Sequence, residues 1–380
     1  MQFSERFELG RFFTFEPSKG NPVYNWFYYK EAYSPEFVSQ MLEEFKIKGK
    51  VLDPFCGVGT TLLASKSKGI LSAGIDSSPL AVFASRVKSA NYSEEDLQAV
   101  EKSLALMFQE KGYPRLRWVF ELFQVEKAFP PANLRDILLM RERLEKAETE
   151  NARNLLLLAL VSILPMCSFV LKDGGVLKIV KKSVAPAKEM FKRKVKRMVK
   201  ELRESPIQGP LPQISLGDAR KMPFEDQSFD ALITSPPYLN NIDYTKVYGL
   251  ELSLLQMSFR ATAEARKGSL RSFITSKAEA ENLPPEIEEI ASRIPIAGTY
   301  FADMENVLKE TKRVLKPGCP SCFVVSNSVI HETHISVDEI LAEIGERLGM
   351  EAEIMVGLER TADVRPVKVR TRESAVILRK

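Results

Sequence analysis

A glycine-containing loop between a short apolar run and a helix is the feature that most constrains how this chain can fold. Residues 50–52 predict a strand, residues 53–61 (DPFCGVGTT) the loop, and residues 61–68 the helix that follows. A second strand, 71–75, leads to a helix at 79–88 that begins with the proline favoured in first helical turns. This alternation of strands and helices predicts a doubly wound α/β fold on a parallel sheet.

Five further apolar runs extend the predicted sheet. They lie at residues 214–217, 229–234, 322–325, 353–358 and 375–378. Helices are expected at 301–314 and 336–348, between these strands. The last two runs flank a turn-like stretch at 362–366, so they predict an antiparallel pair that completes a seven-stranded sheet.

A long interruption separates the second predicted strand from the third. Residues 91–212 are helical in pattern, with no convincing strand before residue 214. We therefore predict one α/β domain formed by residues 1–90 and 213–380, with 91–212 inserted between its second and third strands as a helical lobe. A smaller insertion at 259–295 is rich in Ala, Arg, Lys and Glu.

A block of positive charge lies inside the long insertion. Residues 178–203 contain eleven Lys or Arg and two acidic residues, although the formal net charge of the chain is only +4. An apolar stripe at helical spacing runs through this block: Phe191, Val195, Met198, Val199 and Leu202. The opposite face carries our candidates for nucleic-acid contact: Lys192, Arg193, Lys196 and Lys200. A solvated helix face and a phosphate-binding surface are both compatible with this pattern.

Composition excludes several other classes of protein. Apolar residues make up 44% of the chain, enough for a sizeable core, and four cysteines form no disulfide framework. The first residues lack a basic start followed by an apolar core, so no secretory signal is evident. The most apolar run, 155–171, is interrupted by Ser162, Pro165 and Ser168, which predicts a buried helix rather than a membrane span. We expect a cytoplasmic protein.

Two pairs of potential metal ligands lie at the two ends of the fifth predicted strand. Cys319 and Cys322 stand at its start, and His331 and His334 follow its end. An extended segment of six or seven residues spans roughly 20 Å, whereas zinc ligands lie within about 2.3 Å of one ion. We therefore expect no metal site.

The first loop is suited to hold a ligand at the end of its strand. Gly57 and Gly59 have no side chains that would keep a ligand from the backbone, and they permit positive φ. Thr60 and Thr61 begin a helix whose free N–H groups and positive end face the ligand. Asp53 would attract a positively charged amino group and disfavours a pyrophosphate, which argues against a dinucleotide. A tight strand-to-helix turn without any ligand would need the same glycines.

Two more carboxylates follow neighbouring strands. Asp76 ends the second strand, where a carboxylate can accept both hydroxyls of a ribose, and Asp218 ends the third, where it could take an adenine amino group. Helix capping is the alternative for Asp76, because Asp-Ser-Ser-Pro is a good helix start. Since the carboxyl ends of parallel strands meet at one edge of a sheet, we expect Asp53, Asp76 and Asp218 to line one site.

A second loop, Ser235-Pro236-Pro237-Tyr238, follows the fourth predicted strand directly. An aromatic amine is a poor nucleophile because its lone pair is delocalised into the ring, and hydrogen bonds to both N–H groups localise that pair. Ser235 Oγ and a backbone carbonyl of the Pro236-Pro237 stretch are the candidate acceptors, in a geometry that the prolines stiffen. Tyr238 offers a ring on which an extruded base can stack. The alternative is a Pro-Pro turn with an incidental aromatic residue.

Together the two loops resemble the motifs of the amino-DNA methyltransferases, in particular those that modify the N4 amino group of cytosine. In that family Asp-Pro-Phe-x-Gly-x-Gly-Thr binds S-adenosylmethionine and Ser-Pro-Pro-Tyr is the catalytic loop, and both match here without a gap. Residues 26–34 are similar to the family's segment over the methionine end of the cofactor. The resemblance is good over about residues 22–90 and 214–256 and loose elsewhere.

This resemblance implies a Rossmann-like, seven-stranded methyltransferase domain that uses S-adenosylmethionine. The catalytic residues that it implies are Ser235, Pro236, Pro237 and Tyr238. The cofactor-binding residues that it implies are Asp53, Pro54, Phe55, Gly57, Gly59, Thr60, Thr61, Asp76, Ser77, Asp218, Ala219 and Tyr33.

The resemblance further implies double-stranded DNA as substrate and allows a partner restriction endonuclease that acts on the same site, with no membrane or metal partner. The insertion 91–212 would form a target-recognition lobe whose basic helix contacts phosphates. Residues 172–175 are either a loop that reaches the substrate or an ordinary helix C-terminal turn. Four polar residues after the catalytic loop either line the base pocket or cap the next helix: Asn240, Asn241, Asp243 and Tyr244.

Three other functions stay open on sequence grounds. Relatives that modify adenine more often carry Asn or Asp where Ser235 stands, but this is only a tendency, so methylation of adenine N6 or of a base in RNA is one alternative. A catalytically silent nucleic-acid-binding module that kept the fold is the second. A small-molecule methyltransferase is the third, and it would leave the basic block at 178–203 without a role.

Overall fold

The structure is a computed structural model that describes residues 1–29, 32–109, 112–240, 242–267, 269–270, 285–330, 332–364 and 367–380. Its strands are β1 (Gln2–Glu5), β2 (Val51–Asp53), β3 (Ser72–Asp76), β4 (Val170–Asp173), β5 (Val176–Ile179), β6 (Gln213–Leu216), β7 (Ala231–Thr234), β8 (Pro320–Ser326), β9 (Ser328–Ile330), β10 (Thr333–Ile335), β11 (Glu351–Val364) and β12 (Val367–Arg379).

The helices of the same residues alternate with these strands and fill the insertions. They are α1 (Pro35–Glu44), α2 (Thr60–Ser67), α3 (Pro79–Ser89), α4 (Glu94–Leu106), α5 (Val125–Ala128), α6 (Pro131–Arg143), α7 (Glu150–Cys167), α8 (Ala187–Glu204), α9 (Tyr244–Val247), α10 (Gly249–Gln256), α11 (Ala261–Lys267), α12 (Pro285–Arg293), α13 (Pro295–Val314) and α14 (Val337–Arg347). Short 3₁₀ turns lie at Phe7–Phe13, Glu16–Lys19, Tyr24–Trp26 and Leu144–Lys146.

Among the described residues, a mixed sheet of eight strands forms the centre of the fold, in the order β1-β11-β12-β8-β7-β2-β3-β6. Strands β8, β7, β2, β3 and β6 run parallel, β12 is antiparallel to both β8 and β11, and β1 is parallel to β11. Each predicted strand overlaps one of these strands, but the predicted count of seven was one too few. The sequence pattern missed β1 because its four residues, QFSE, are largely exposed and have no buried apolar face, so its pairing depends on backbone hydrogen bonds.

The parallel strands bring their carboxyl ends to one edge of the sheet. After β2 the chain continues to β3, its neighbour on one side in the sheet. The neighbour of β2 on the other side is β7, and after β7 the chain continues to β8, which lies farther in that opposite direction. Open α/β sheets bind ligands in the crevice at such a reversal of direction. Asp53, Asp76 and Thr234 are the last residues of β2, β3 and β7, so all three lie at this edge.

Helices cover both faces of the sheet because successive strand residues point to opposite sides. On one face Leu52 belongs to a buried cluster that includes Phe301 of α13 and Leu341 of α14. On the other face its neighbour Val51 belongs to a cluster with Phe37 of α1. The sheet is therefore enclosed, and its ligand-binding edge is held between two packed layers.

Between β3 and β6 the chain forms α3 to α8 and a two-stranded antiparallel hairpin, β4–β5. The prediction that no strand precedes residue 214 was therefore wrong. Helix α7 ends at Cys167 and Ser168 takes extended dihedral angles, so the apolar residues that follow continue as a strand. Gly174, with a φ of +57°, lies in the turn of the hairpin, and residues 172–175 are the end of β4 and this turn instead of a helix terminus.

Helix α7 is the central helix of the insertion. It is the one helix in the described part of the chain whose length and apolar composition would allow it to cross a membrane. Eleven of its eighteen residues are buried inside the protein. It packs against α4, α8 and α10, which accounts for its apolar composition without a membrane.

Helix α8 has the amphipathic character that the sequence indicated. Phe191, Val195, Met198 and Val199 are buried, and the basic residues of the opposite side face solvent to varying degrees. At the edge between these faces, Glu201 accepts hydrogen bonds from Trp26 Nε1 at 2.8 Å and from the Val23 N–H at 3.0 Å. This carboxylate ties the N-terminal segment to the insertion.

Two predicted segments are only partly covered by the described residues. The smaller insertion contains α11 and α12, but residue 268 and residues 271–284 lie outside the described part of the chain. The predicted turn at 362–366 was wrong at its start, because β11 continues to Val364; β12 begins at Val367, and residues 365–366 lie outside the described part of the chain. Both strands extend beyond the apolar runs because pairing with each other needs only their backbones.

Candidate active site

The two loops singled out in the sequence line one cleft at the carboxyl edge of the sheet. The empty volume of this cleft is about 1250 Å³, which includes the solvent-filled space at its mouth. The first loop contributes residues 53–58 and Thr60, and the second contributes all of residues 235–238. The other predicted residues on its wall are Tyr33, Asp76, Ser77, Asp218 and Ala219.

Asp53 is a buried carboxylate at the end of β2 that borders the cleft. Its Oδ1 accepts hydrogen bonds from Thr234 Oγ1 at 2.6 Å and from the Phe55 N–H at 3.2 Å, and Tyr33 OH donates to its Oδ2 at 3.3 Å. Burial raises the pKa of Asp53 to about 6, although the hydrogen bonds from Thr234 and Phe55 oppose this rise. A neighbouring cation strongly stabilises the ionised form of a carboxylate that burial destabilises in this way, so the site suits an ammonium or sulfonium group.

Asp76 holds the first loop in shape. Its Oδ2 accepts the Gly57 N–H at 2.9 Å, and its Oδ1 accepts the Ser78 N–H at 2.8 Å. Burial raises the pKa of Asp76, and these backbone hydrogen bonds offset part of that rise. The capping residue of α3 is Ser78, which accepts from the Ala81 N–H, so Asp76 is not the cap. Gly57 adopts a φ of +49°, in the left-handed region that favours glycine.

Gly59 and Thr61 lie behind the cleft and not on its wall. Gly59 has a φ of +84° at the start of α2, and a Cβ there would overlap Ser85 Oγ of α3. Thr61 Oγ1 donates to the Ile233 carbonyl at 3.3 Å and is hydrogen-bonded to the Tyr33 hydroxyl. The first turn of α2 directs Thr61 toward β7. Gly59 and Thr61 therefore support the first loop, whereas the sequence predicted that both would bind the ligand.

Asp218 reaches the cleft from the loop after β6 and is already bound to a cation. Arg220 Nη2 donates to Asp218 Oδ2 at 2.7 Å and Arg220 Nε donates to Oδ1 at 2.9 Å. Burial alone would raise the pKa of Asp218, but the bonds from Arg220 outweigh it and bring the pKa below its usual value. Arg220 also donates to the buried Asp303 at 3.1 Å. Asp218 is therefore an ionised, oriented acceptor.

The second loop is connected to the first through its base. Thr234, the last residue of β7, makes the hydrogen bond to Asp53, so the two loops diverge from a shared contact. At the far end, the Leu239 carbonyl accepts a hydrogen bond from the Ser328 hydroxyl. Burial raises the pKa of Tyr300, and the nearby phenols of Tyr244 and Tyr238 raise it further. Tyr300 therefore lies near Tyr238, the last residue of the second loop, and near Tyr244.

Part of the cleft wall was not identified from the sequence. Tyr29 and Tyr248 both line the cleft and stack with ring centroids 4.7 Å apart and planes 19° from parallel. Lys172 Nζ lies 4.0 Å from the centroid of the Tyr248 ring. The remaining unpredicted wall residues after the second loop are Ile242, Thr245, Leu252, Ala265, Ser269 and Leu270. Helical spacing of Tyr244, Tyr248 and Leu252 was the signal that could have revealed one shared face.

The polar residues after the second loop divide between the two roles considered for them. Asp243 caps α9, because its Oδ1 accepts the N–H groups of Thr245 at 3.1 Å and Lys246 at 3.3 Å. Tyr244 lines the cleft, and Asn240 Nδ2 donates to its hydroxyl at 2.8 Å. Asn241 lies outside the described residues.

None of the four basic candidates on α8 lines the cleft. Lys196 and Lys200 border a separate surface groove that also includes Arg203 and Glu204. Lys192 lies 3.7 Å from Glu189, and Lys200 lies 3.7 Å from Glu204, in exposed pairs that contribute little to stability. Contact of Lys192, Arg193, Lys196 and Lys200 with nucleic acid stays a prediction.

The cysteine and histidine pairs do not gather around a common point in the part of the chain that is described. Cys322 is buried inside β8, Cys319 precedes it, and His334 lies exposed on β10. His331 is outside the described residues. Among the described side chains, no group of three or more His, Cys, Asp or Glu is placed to hold a metal ion.

No protein-family model matches the chain. The chain is 27% identical to Type II methyltransferase M.BsoBI of Geobacillus stearothermophilus, over 88% of this chain and 80% of the relative. It is 29% identical to Type II methyltransferase M.AvaI of Nostoc sp., over 90% and 81% respectively. Type II methyltransferase M.MvaI of Kocuria varians is 21% identical over 81% and 76%.

Solved structures show a more distant likeness. A SAM-dependent methyltransferase from Methanosarcina mazei is 12% identical, with 90% of this chain and 96% of that chain covered and a TM-score of 0.33. The rRNA methyltransferase aviRa from Streptomyces viridochromogenes is 10% identical, with 94% and 84% covered and a TM-score of 0.26. At TM-scores this low, these structures give no support for the fold beyond the sheet order described above. The chain is similar to type II methyltransferases along about nine tenths of its length, both of its predicted loops line one cleft, and its cofactor is S-adenosylmethionine.

Proposed function

We propose that this protein is a site-specific DNA methyltransferase that transfers a methyl group from S-adenosylmethionine to the exocyclic N4 nitrogen of a cytosine flipped out of the duplex. The observation that most directly supports this is that residues 53–58 and 235–238 line the same cleft. Methyl donor and acceptor would then be held side by side, and proximity supplies much of the rate of such a transfer.

S-adenosylmethionine supplies an electrophilic methyl group on a positively charged sulfur, and the chain has to bind and orient it. Asp53 is the candidate partner of its ammonium group, which would favour the ionised carboxylate that burial disfavours. Asp76 ends β3, where a carboxylate can hold a ribose, and already orients Gly57. Asp218, oriented by Arg220, is the candidate for the adenine amino group.

The second loop would prepare the acceptor. Ser235 Oγ and a carbonyl of the Pro236-Pro237 stretch would accept the two amino N–H bonds of the base, which localises the nitrogen lone pair for attack on the methyl group. Preset acceptors of this kind cost no reorganisation during the reaction. Tyr238 would stack on the flipped base. After transfer, the methylated nitrogen loses its extra proton to water, so no general base is required.

Cytosine is favoured over adenine because a serine hydroxyl stands at position 235, where adenine-modifying members of the resembled family more often carry Asn or Asp. We assign target recognition to the insertion 91–212 and phosphate contact to the basic face of α8. An endonuclease acting on the same site is the expected partner, and the cytoplasm the expected compartment.

Nucleoside analysis of methylated DNA tests the reaction. Purified protein is incubated with methyl-labelled S-adenosylmethionine and either unmodified plasmid DNA or RNA, and the digested nucleosides are identified by mass spectrometry. We expect N4-methylcytosine. N6-methyladenine would correct the acceptor base, and label found only in an RNA substrate would correct the nucleic acid. Binding of S-adenosylmethionine without methyl transfer to any nucleic acid would show a catalytically silent binding module.

Ser235→Ala tests the acceptor role, with Ser269→Ala as the matched control. Both serines line the cleft, but only Ser235 belongs to the second loop. Loss of one preset hydrogen-bond acceptor should reduce kcat by about 100-fold or more, while the affinity for S-adenosylmethionine stays within about twofold. Equal loss of turnover in the two variants, or loss of cofactor affinity matching the loss of turnover, would contradict this role.

A further inference from the structure

The hairpin β4–β5 has two faces of different character. Side chains alternate along a strand, and directly paired residues share a face. The pairs Val170–Ile179 and Lys172–Leu177 therefore define an inner face, and the pairs Leu171–Lys178 and Asp173–Val176 an outer face. On the inner face Val170 is buried and Leu177 packs against the core of the insertion.

The inner face fixes the hairpin to the rim of the cleft. Lys172 Nζ lies 2.6 Å from Glu251 Oε1, and the Glu251 side chain is only 1% exposed. The same ammonium group lies over the ring of Tyr248, a wall residue of the cleft. At the turn, a Cβ added to Gly175 would stand 3.6 Å from the Cα of Ile242, another wall residue. The hairpin thus contacts the cleft wall at two points.

The outer face is turned to solvent and exposes two apolar side chains beside an ion pair. Leu171 is 45% exposed and Val176 is 55% exposed. Lys178, 54% exposed, stands between them and pairs with Asp173 at 2.5 Å. Exposed apolar side chains next to a functional site are candidates for contact with another molecule.

Charge identifies the molecule that would cover this face. Lys178, Lys181 and Lys182 lie on β5 or directly after it, Asp173 is the one acidic residue of the hairpin, and the basic block at 178–203 continues from the end of the hairpin. Such a surface attracts phosphates. A two-stranded ribbon fits the major groove of duplex DNA, where apolar side chains contact thymine methyl groups and lysine can donate to guanine.

We propose that the outer face of the hairpin, through Leu171, Val176 and Lys178, enters a groove of the DNA duplex next to the base that occupies the cleft, and contributes to the choice of target sequence. This inference rests on the proposed function. Anchorage of the hairpin to Glu251 and Tyr248 would hold it at a constant distance from the cleft, as a recognition element needs.

The test compares two double variants of the full chain. Leu171→Ser with Val176→Ser removes the apolar contacts of the outer face. Leu71→Ser with Leu211→Ser is the matched control, because these leucines are 58% and 60% exposed and precede β3 and β6, at the opposite edge of the sheet. Duplex affinity is measured by fluorescence anisotropy at fixed salt, cofactor affinity by calorimetry, and methylation by sequencing of a randomised DNA library.

We expect the hairpin variant to bind duplex DNA at least about tenfold more weakly than wild type and to methylate a wider set of sequences. Its cofactor affinity and thermal unfolding should match those of the control variant. Unchanged duplex affinity and unchanged sequence preference, in a protein whose wild type methylates DNA, would overturn the role of the hairpin alone. Absence of DNA methylation by the wild type would overturn the proposed function as well.

Discussion

Asp53→Asn tests whether the cleft holds a carboxylate that is costly to ionise without a cation. Asparagine keeps an Oδ1 that can accept from Thr234 and from the Phe55 N–H, so the packing and most hydrogen bonds of the site are preserved. What the substitution removes is the negative charge of a side chain that is only 2% exposed. Any change in hydrogen bonding shifts the free energy of unfolding of the variant by an amount that does not depend on pH.

The magnitude follows from the pKa of Asp53, which rises from 3.8 in a solvated chain to about 6 in the folded protein because of burial. The folded state holds this proton more tightly than the unfolded state, so stability is highest below pH 4 and is lost as pH rises through 6. Each pH unit between the two values is worth about 1.4 kcal/mol, so ionised Asp53 lowers the free energy of unfolding by about 3 kcal/mol at pH 7 and above. The variant avoids this loss.

Urea unfolding at several pH values, without S-adenosylmethionine, measures the effect. Between pH 4 and pH 8, the free energy of unfolding of the variant should shift by about 3 kcal/mol relative to wild type, in favour of the variant. Asp218→Asn is the control, because Arg220 outweighs burial and lowers the pKa of Asp218. The difference in the free energy of unfolding between Asp218→Asn and wild type should change with pH only below about pH 5. This change should have the opposite sign to that of Asp53→Asn.

A difference between Asp53→Asn and wild type that stays constant from pH 4 to pH 8 would refute the reasoning. The same variant also reports on the cofactor. Saturating S-adenosylmethionine should raise the melting temperature of wild type more than that of the variant, because the variant lacks the charge that would pair with the ammonium group.

Two further substitutions test contacts that support the site. Gly59→Ala should lower the free energy of unfolding by about 2 kcal/mol, since φ is +84° and a Cβ would overlap Ser85 Oγ; urea unfolding measures it, and an unchanged midpoint would contradict it. Glu201→Ala should lower it by about 1–3 kcal/mol, because Trp26 Nε1 loses its acceptor, whereas the exposed Glu204→Ala should be neutral in the same assay.

Local sequence patterns predicted those parts of the fold whose physical cause lies within a few residues. The strand, glycine loop and helix at 51–67 follow one another along the chain, so an apolar run, two glycines and a helix start were sufficient signals. The second loop follows β7 in the same way. Cleft residues at 53–55, 57 and 235–238 could therefore be named as candidates before their spatial relation was known.

Features without a local signal were missed or misplaced. β1 has no apolar alternation, and its pairing with β11 joins residues from the two ends of the chain. Lys172 could be read as part of a loop or a helix end, because its partner Glu251 is distant in sequence and became its neighbour only through folding. Thr61 was predicted to face the ligand, but the direction of its side chain depends on the strand packed beside it.

By itself, the sequence determined which segments are the candidates for the chemistry: two loops after apolar runs, each with the side chains that its proposed task requires. The tertiary structure alone decided that the loops share a cleft, because the contact between Asp53 and Thr234 joins residues 181 positions apart. It also decided which face of the β4–β5 hairpin meets solvent. Side-chain periodicity defines faces, but only packing against distant elements selects the face that is covered.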